Sequence, residues 1–128
     1  MPGGLQRLGS TLVPAPLSNA DLASIITTSR VGGLEWDAVF SCQMFQTFKP
    51  HQSTYLGAAT LLGAHPEQIL MAASHRYDLD AAAGLGFGTA FIFRPFEFGP
   101  DGRPDVASDA DYDFTVESVE ELAGLLGS

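Results

Sequence analysis

The sequence is poor in basic residues and in cysteine. Its 128 residues include 6 lysines and arginines against 15 aspartates and glutamates, which gives a formal net charge of −9. A basic surface able to neutralise phosphate groups is therefore excluded, and neither a nucleic-acid nor an anionic-membrane partner is expected. The single cysteine, Cys42, excludes an internal disulfide framework and fits a reducing compartment.

Long hydrophobic runs are also missing. No stretch reaches the roughly 18 consecutive apolar residues that suggest a membrane-spanning helix. The first residues, MPGGLQRLGSTLVPAP, lack the apolar core of a secretory signal. The sequence therefore predicts a cytoplasmic protein with no membrane segment, and its length suits one domain with one core.

What the sequence does contain is a regular alternation of strand and helix patterns around a central segment, residues 68–93. An apolar run at 69–73 leads into a polar cluster at 74–78, an alanine-rich helix pattern and a second apolar run at 89–93. A strand followed by a polar loop and a helix is typical of the ligand-facing edge of a parallel α/β sheet. We therefore expect the functional groups at this edge.

The alternation continues on both sides of the central segment. We predict strands at 11–17, 36–42, 69–73, 89–93 and 114–116, and helices at 19–30, 48–62, 78–84 and 119–126, with the tail of a helix around Leu5 and Leu8 and a loop at 94–111. Pro14 and Pro16 remove backbone donors from one side of the first strand, so that side cannot be fully paired. Ser18 is predicted as the N-cap of the next helix. The pattern indicates an α/β fold with a doubly wound parallel sheet.

Polar side chains follow three of the predicted strands. Ser18 and Asn19 end the first strand, Lys49 follows the second, and His75 and Asp78 follow the central one. Because parallel strands end at the same edge of a sheet, we expect these groups to converge. The residues alone leave simpler interpretations open: helix caps for the serine and the aspartate, and solvated loop positions for the lysine and the histidine.

Three longer strings resemble motifs of a known family. LSNAD at 17–21, FKPHQSTY at 48–55 and AASHRYDLDAAAGLGFGTAFIFRPFEFGP at 72–100 are similar to the second, third and fourth motifs of the haloacid dehalogenase superfamily. They are most similar to its type II 2-haloacid dehalogenase branch. The resemblance covers nearly the whole chain and implies that superfamily's Rossmann-like α/β core.

The resemblance also implies a reaction, the hydrolytic dehalogenation of a small 2-haloacid substrate. In the family, an aspartate near the N-terminus attacks the carbon that bears the halogen, expels halide and forms an ester that water hydrolyses. The matching positions imply that Ser18 hydrogen-bonds this carboxylate, that Asn19 lies near the leaving halide and that Lys49 keeps the nucleophile ionised. Asp78 would orient Lys49 or the hydrolytic water.

The resemblance implies that Tyr55 and His75 lie on the substrate side of the site. Tyr55 follows the lysine by six residues, and His75 stands where the family has a polar asparagine or histidine. Ala73 replaces a serine of some members. The phosphatase branch uses paired carboxylates here to bind magnesium, whereas this chain has Asp78 and Asp80 at i and i+2, so no metal and no cofactor are expected.

The chain departs from the family at its N-terminus. The family begins with a strand carrying D-x-x-x-[TV], and no such strand precedes residue 11; the helical cap domain that supplies an arginine for the substrate carboxylate is also missing. We therefore expect 1–128 to be a single partial core domain, truncated at its N-terminus, with 1–10 as a residual exit from the cap and 11–128 as the core. The missing strand would lie between strands 11–17 and 69–73 and leave two edges open.

Three functional hypotheses follow. The first is a dehalogenase-like hydrolase that is inactive alone because its N-terminal half lies upstream or in another chain. The second is a non-catalytic α/β binding module that self-associates, for example as a homodimer. The third is a phosphatase of the same superfamily, which magnesium dependence would distinguish.

Overall fold

The computed structural model describes residues 2–9, 12–95, 102–108 and 110–126. The first residue of the predicted strand 11–17 and part of the predicted loop 94–111 thus lie outside the described residues. The elements in chain order are α1 (Pro2–Leu8), β1 (Leu17–Ser18), α2 (Leu22–Gly32), β2 (Phe40–Ser41), α3 (Gln52–Leu62), β3 (Leu70–Ala73), α4 (Arg76–Gly84), β4 (Gly88–Ile92), β5 (Phe114–Val116) and α5 (Val119–Leu125), with short 3-10 helices at Cys42–Phe45 and Pro66–Gln68.

The strands form two parallel sheets. One sheet pairs β1 with β2, and the other has the order β3-β4-β5. In the larger sheet Ala90 lies opposite Ala72 on one side and opposite Phe114 on the other. These parallel strands are joined through helices, except for β4 and β5, between which the described residues form no helix. The arrangement confirms the predicted α/β class.

The first two strands are much shorter than the predicted 11–17 and 36–42, and the two prolines explain the first of them. The backbone N–H of Phe40 donates to the carbonyl of Pro16 at 3.0 Å, and a bond of the same kind reaches Pro14. The prolines thus face β2 but have no N–H to donate in return. The predicted incomplete pairing on the proline side of the first strand is confirmed, and the ladder between β1 and β2 has two residue pairs.

The helix that follows β1 begins later than predicted because its cap is a different residue. The Asp21 carboxylate accepts the N–H of Ser24 at 3.3 Å and its hydroxyl at 2.6 Å. Ser18 instead accepts the N–H of Ala20 through its own hydroxyl. The prediction of Ser18 as N-cap is therefore wrong. The helix ends at Gly33, which has a left-handed φ of 67°.

Two further helix starts are corrected. α3 begins four residues later than residue 48 because the His51 ring caps it, accepting the N–H of Ser53 at 3.1 Å. α4 begins two residues before the predicted 78, so Asp78 lies inside its first turn and does not cap it. The short strand at 114–116 is as predicted, and α5 ends one residue before the predicted 126.

The hydrophobic core lies on both faces of β4. Ala90 and Ile92 pack on one face in a buried cluster with Leu122 of α5 and Leu5 of α1. Phe91 packs on the other face in a cluster with Leu79 and Tyr112. A strand buried on both faces is what a central parallel strand should be.

The two sheets lie side by side, yet no hydrogen-bonded ladder joins them within the described ranges. Leu17 of β1 and Met71 of β3 pack against the same buried cluster around Tyr55, so β1 and β3 form the neighbouring edges. The backbone of Leu17 points away from β2, and that of Leu70 and Ala72 points away from β4. We call the space between these two edges the open lane.

The residues of β3 reflect its edge position. Ala72 is exposed and the other three residues are half-buried, whereas the last four residues of β4 are buried. An apolar strand of this kind is normally covered or paired. Of the helices in the described part of the chain, none is long and apolar enough to cross a membrane.

Candidate functional site

Two side chains that lie 29 residues apart in sequence form an ion pair at the ends of the strands. The ammonium of Lys49 lies 2.6 Å from Oδ2 of Asp78, and the two side chains are only 12% and 3% exposed. Lys49 follows β2, and Asp78 belongs to the first turn of α4, directly after β3. Their contact shows that the carboxyl ends of both sheets meet, so β1, β2 and β3 run in the same direction.

Tyr55 completes this cluster from α3. Its hydroxyl donates to Oδ1 of Asp78 at 2.5 Å, so the two carboxylate oxygens have different partners. A buried carboxylate is costly unless it is paired and hydrogen-bonded, and here it is both. The convergence of Lys49, Tyr55 and Asp78 is therefore a built arrangement, and the interpretation of Lys49 as a solvated loop charge is wrong.

The environment favours a neutral Tyr55. Burial of the ring, and then the hydrogen bond to the Asp78 carboxylate, raises the pKa of Tyr55. The phenol thus remains a neutral hydrogen-bond donor to Asp78 and adds no second negative charge beside that carboxylate. Cys42, fully buried directly after β2, has its thiol pKa raised by burial, although the backbone N–H of Lys49 acts in the opposite direction.

Asn19 reaches the same region through the backbone of the lysine. Its side-chain oxygen accepts the N–H of Lys49 at 2.8 Å. The loop that carries Asn19 is tied to the end of β2 by Ser41, a fully buried residue whose hydroxyl donates to the carbonyl of Ala20 at 2.7 Å. The exposed Asn19 side chain is thus held beside the lysine, and half-buried Ser18 precedes it at the end of β1.

His75 occupies the N-cap position of α4, three residues before Asp78. Its side chain makes no cap hydrogen bond, and its ring stacks on that of Tyr77 with centroids 5.8 Å apart. The ring pair lies at the rim, because His75 is half-buried and Tyr77 is exposed. His75 is therefore next to the cluster in sequence and lies at its rim, whereas the two oxygens of Asp78 bind Lys49 and Tyr55.

A cavity of about 320 Å³ opens beside the lysine. Its lining includes Asn19 and Phe48, the residue before Lys49; the other lining residues are Asp21, Gln43, Gln46 and Thr47. Phe48 is 63% exposed, which makes the mouth of this cavity partly apolar. No group of three or more metal-binding side chains occurs among the described residues.

Sequence reasoning missed the residues that hold this region from outside. Arg76 and Tyr112 bind one another and neighbouring carboxylates. They are far apart in sequence, and the loop that carries Tyr112 has no periodic pattern, so no sequence signal paired them. The position of Asp21 three residues before Ser24 is a cap signal that the sequence did contain.

The lysine is well placed to act on an anion. An ammonium has three N–H donors, and Asp78 is the one side chain that accepts from Lys49 in the described part of the chain. Two donors therefore remain for a carboxylate or another anion at the end of the open lane. Asp78 would keep the ammonium in place while such a group binds.

Comparisons with known proteins find relatives among the 2-haloacid dehalogenases. Over 59 residues, or 46% of the chain, the sequence is 34% identical to an (S)-2-haloacid dehalogenase of Xanthobacter autotrophicus, of which these residues make up 23%. Over 70% of the chain it is 29% identical to an (S)-2-haloacid dehalogenase of Pseudomonas fluorescens, covering 41% of that protein. No protein-family model matches the chain.

Solved structures agree in fold. One L-2-haloacid dehalogenase matches 97% of the chain with a TM-score of 0.93 and 37% identity, and a defluorinating L-2-haloacid dehalogenase matches 99% with the same TM-score and 32% identity. The chain covers 55% and 52% of these two proteins. It therefore spans about half the length of the solved relatives, and less than half of the curated ones.

Proposed function

We propose that this chain carries the lysine-bearing half of a hydrolytic dehalogenation site. The chain belongs to the haloacid dehalogenase-like proteins and is related to the 2-haloacid dehalogenases. The observation that supports this proposal most is the buried Lys49–Asp78–Tyr55 cluster at the ends of the strands. The proposed substrate is a small 2-haloacid, the class on which the relatives' names place their activity.

Lys49 would serve the nucleophile of this reaction. A carboxylate that attacks the halogen-bearing carbon must be ionised, and an ammonium about 4 Å away favours the charged form by about 4 kcal/mol at an effective dielectric constant near 20. The attack forms an ester bond and releases halide with the electron pair of the carbon–halogen bond; water then hydrolyses the ester and restores the carboxylate. Asp78 would hold the ammonium of Lys49 in place, while Tyr55 binds the second oxygen of Asp78.

The nucleophile would enter with a strand in the open lane. Because β1 and β3 run in the same direction, a strand between them would be parallel to both and would end beside the ammonium of Lys49. A carboxylate at that end would complement the two unused N–H donors. We propose that this strand is supplied from outside the 128-residue sequence, by an upstream segment or a second chain.

The remaining candidates would act around the substrate. Asn19, held beside Lys49, offers its amide N–H groups to the leaving halide, and Ser18 offers a hydroxyl to the nucleophile's carboxylate. His75, stacked on Tyr77 at the rim, would contact the substrate from the other side. Halide and carboxylate are anions, which suits these N–H and O–H donors in a chain of net charge −9.

A chimera tests the proposal. The segment of the Xanthobacter autotrophicus relative that precedes its match to this chain would be joined to the 128 residues, and chloride release from 2-chloropropionate would be measured. We expect release that falls by about 10²–10³-fold in Lys49→Met, the usual cost of removing one electrostatic partner of the reacting groups.

The control variant is Arg30→Ala, which removes an exposed arginine at the end of α2 and should leave chloride release unchanged. Circular dichroism would establish that each chimera is folded. A folded chimera that releases no chloride, or releases it equally well with Lys49→Met, would refute the proposed function.

A further inference from the structure

We propose that Arg76 is a positioning residue, which clamps the loop 102–113 onto the first turn of α4 and thereby holds Asp78 against Lys49 and Tyr55. This proposal rests on the proposed function only for the role that it gives to the Asp78 carboxylate. The contacts that carry it are separate from the lysine cluster. We call residues 102–113 the clamped loop; residue 109 is not among the residues that the structure describes.

The side chain of Arg76 makes three contacts with the clamped loop. Its Nη1 donates to the carbonyl of Val106 and to Oδ2 of Asp111, both at 3.0 Å. The guanidinium also lies over the ring of Tyr112, 5.4 Å from its centroid. An exposed ion pair alone contributes little, but a planar guanidinium that binds two acceptors and a ring fixes their geometry.

The backbone of Arg76 makes a fourth contact. Its N–H, one of those left without a partner at a helix start, donates to Oδ2 of Asp105 at 2.8 Å. The residue at the N-cap position, His75, provides no side-chain cap. The first turn of α4 is therefore capped from the clamped loop, 29 residues away in sequence, and its order depends on that loop staying in place.

A second attachment lies one turn further along α4. Tyr112 donates its hydroxyl to Oδ1 of Asp80 at 2.8 Å, and its ring stacks on Phe91 of β4 with centroids 5.9 Å apart. Arg76 and Asp80 are separated by four residues, so both lie on one face of α4. The clamped loop thus contacts α4 at two points and connects this helix to β4, the central strand of the sheet.

Asp78 lies on the opposite face. Two residues along an α-helix correspond to a rotation of about 200°, so Asp78 points away from the face that carries Arg76 and Asp80. The helix is held between the clamped loop on one side and the Lys49 and Tyr55 contacts on the other. Release of the loop lets the first turn fray or rotate, which moves the carboxylate away from both partners.

The test uses the single lysine of the sequence. Acetylation of Lys49 by a water-soluble active ester would be followed by peptide mass spectrometry in the 128-residue chain over a series of pH values. The labelling rate reports how readily Asp78 releases the amine, because the amine reacts only when it is released. For Arg76→Ala we expect labelling about fivefold faster, the effect of weakening one local contact network. Arg30→Ala, an exposed arginine on α2, should label at the wild-type rate.

Two more conservative variants test the same proposal if Arg76→Ala does not fold. Asp105→Asn retains an acceptor but removes the charge, and Tyr112→Phe removes only the hydroxyl that binds Asp80. We expect each to accelerate labelling by about twofold with unchanged circular dichroism. Wild-type labelling rates and pH profiles in the folded variants would overturn the proposal. The readout involves no dehalogenation, so a failed chimera does not affect it.

Discussion

At the scale of the residue, Asp78 is the side chain on which the site depends. It is 2% exposed and accepts from both an ammonium and a phenol, so its charge is offset by one partner and its second oxygen is satisfied by the other. Removing either the charge or a partner leaves the rest unpaired in a buried setting. Such losses are costly because the desolvation is not recovered.

Asp78→Asn should lower the free energy of unfolding by about 3 kcal/mol, because it leaves the ammonium of Lys49 without its buried counter-charge. Urea unfolding monitored by circular dichroism measures this. Asp37→Asn is the matched control: Asp37 is exposed, and its substitution should stay within about 0.5 kcal/mol. Equal stabilities for the two variants would show that the ion pair contributes nothing.

Tyr55→Phe should destabilise the chain by about 1–3 kcal/mol, because Oδ1 of Asp78 loses its donor in a site where water cannot easily replace it. The same unfolding measurement applies. Tyr77→Phe, which removes a hydroxyl from a ring that is 48% exposed, serves as the control and should be nearly neutral. A neutral Tyr55→Phe would mean that the carboxylate does not need the phenol.

Asp111 provides a pH signature of the Arg76 clamp. The hydrogen bond from the Arg76 guanidinium, followed by the N–H of Ser108, lowers the pKa of Asp111. A depressed carboxyl pKa gives stability that is present above the unfolded-state pKa of about 3.9 and is lost as the pH falls through the folded value. A carbon-detected NMR titration should find this pKa below the ordinary range and returning towards it in Arg76→Ala; no change would refute the contact.

At the scale of the element, the docking of α1 depends on one glycine. A Cβ at Gly4 would lie 2.8 Å from the backbone nitrogen of Glu120 and 2.9 Å from the carbonyl carbon of Val119, so α1 approaches α5 at a distance that only glycine permits. Leu5, the next residue, is 5% exposed within the core cluster of α5 and β4. The predicted exit from a cap, residues 1–10, thus contains a helix packed on the core.

Gly4→Ala should therefore cost about 1–3 kcal/mol of stability through overpacking against a helix backbone. The control is Gly3→Ala, at the neighbouring residue, where an added Cβ would have nothing within 4 Å. This variant should be neutral or stabilising by up to about 1 kcal/mol, because alanine is the better helix former. Thermal unfolding of the two variants compares them directly. A harmless Gly4→Ala would show that α1 is not seated on α5.

Element identities could be predicted from the sequence better than element boundaries. Apolar runs and their alternation with helical patterns indicated every strand of the larger sheet, because those strands are set by burial. β1 and β2 could not be delimited, since their length depends on which neighbour faces Pro14 and Pro16. The start of α2 was misplaced because Ser18 and Asp21 both suit a cap, and only the tertiary position of the loop selects between them.

The site could be predicted in part for a similar reason. Strand ends in a parallel sheet brought Asn19, Lys49 and Asp78 together as expected, and the resemblance added Tyr55. The clamp around Arg76 could not be predicted, because its partners lie on an irregular loop whose path no local pattern specifies.

At the scale of the whole molecule, the open lane is the unusual feature. In the described part of the chain, the facing edges of the two parallel sheets form no ladder with a neighbouring strand. Such edges can pair with another strand, either the proposed missing one or a second copy of the chain. The exposed Ala72 lies on one of these edges. The lane therefore links the proposed function to the solution behaviour of the chain.

We expect the urea unfolding midpoint of the 128-residue chain to rise with protein concentration, because association covers the open edges in the folded state only. Ala72→Lys places a charge on the lane and should remove that dependence. Ala83→Lys, on an exposed position of α4, should leave it in place. A midpoint independent of concentration in the wild-type chain would show that the edges do not associate.

The most direct test of the proposed function is chloride release from 2-chloropropionate, measured in parallel for the 128-residue chain and for the chimera that adds the relative's N-terminal segment. We predict Lys49-dependent release from the chimera and none from the chain alone, because the chain holds the lysine cluster while the nucleophile arrives with the strand in the open lane. Chloride release from the chain alone that disappears in Lys49→Met would contradict it.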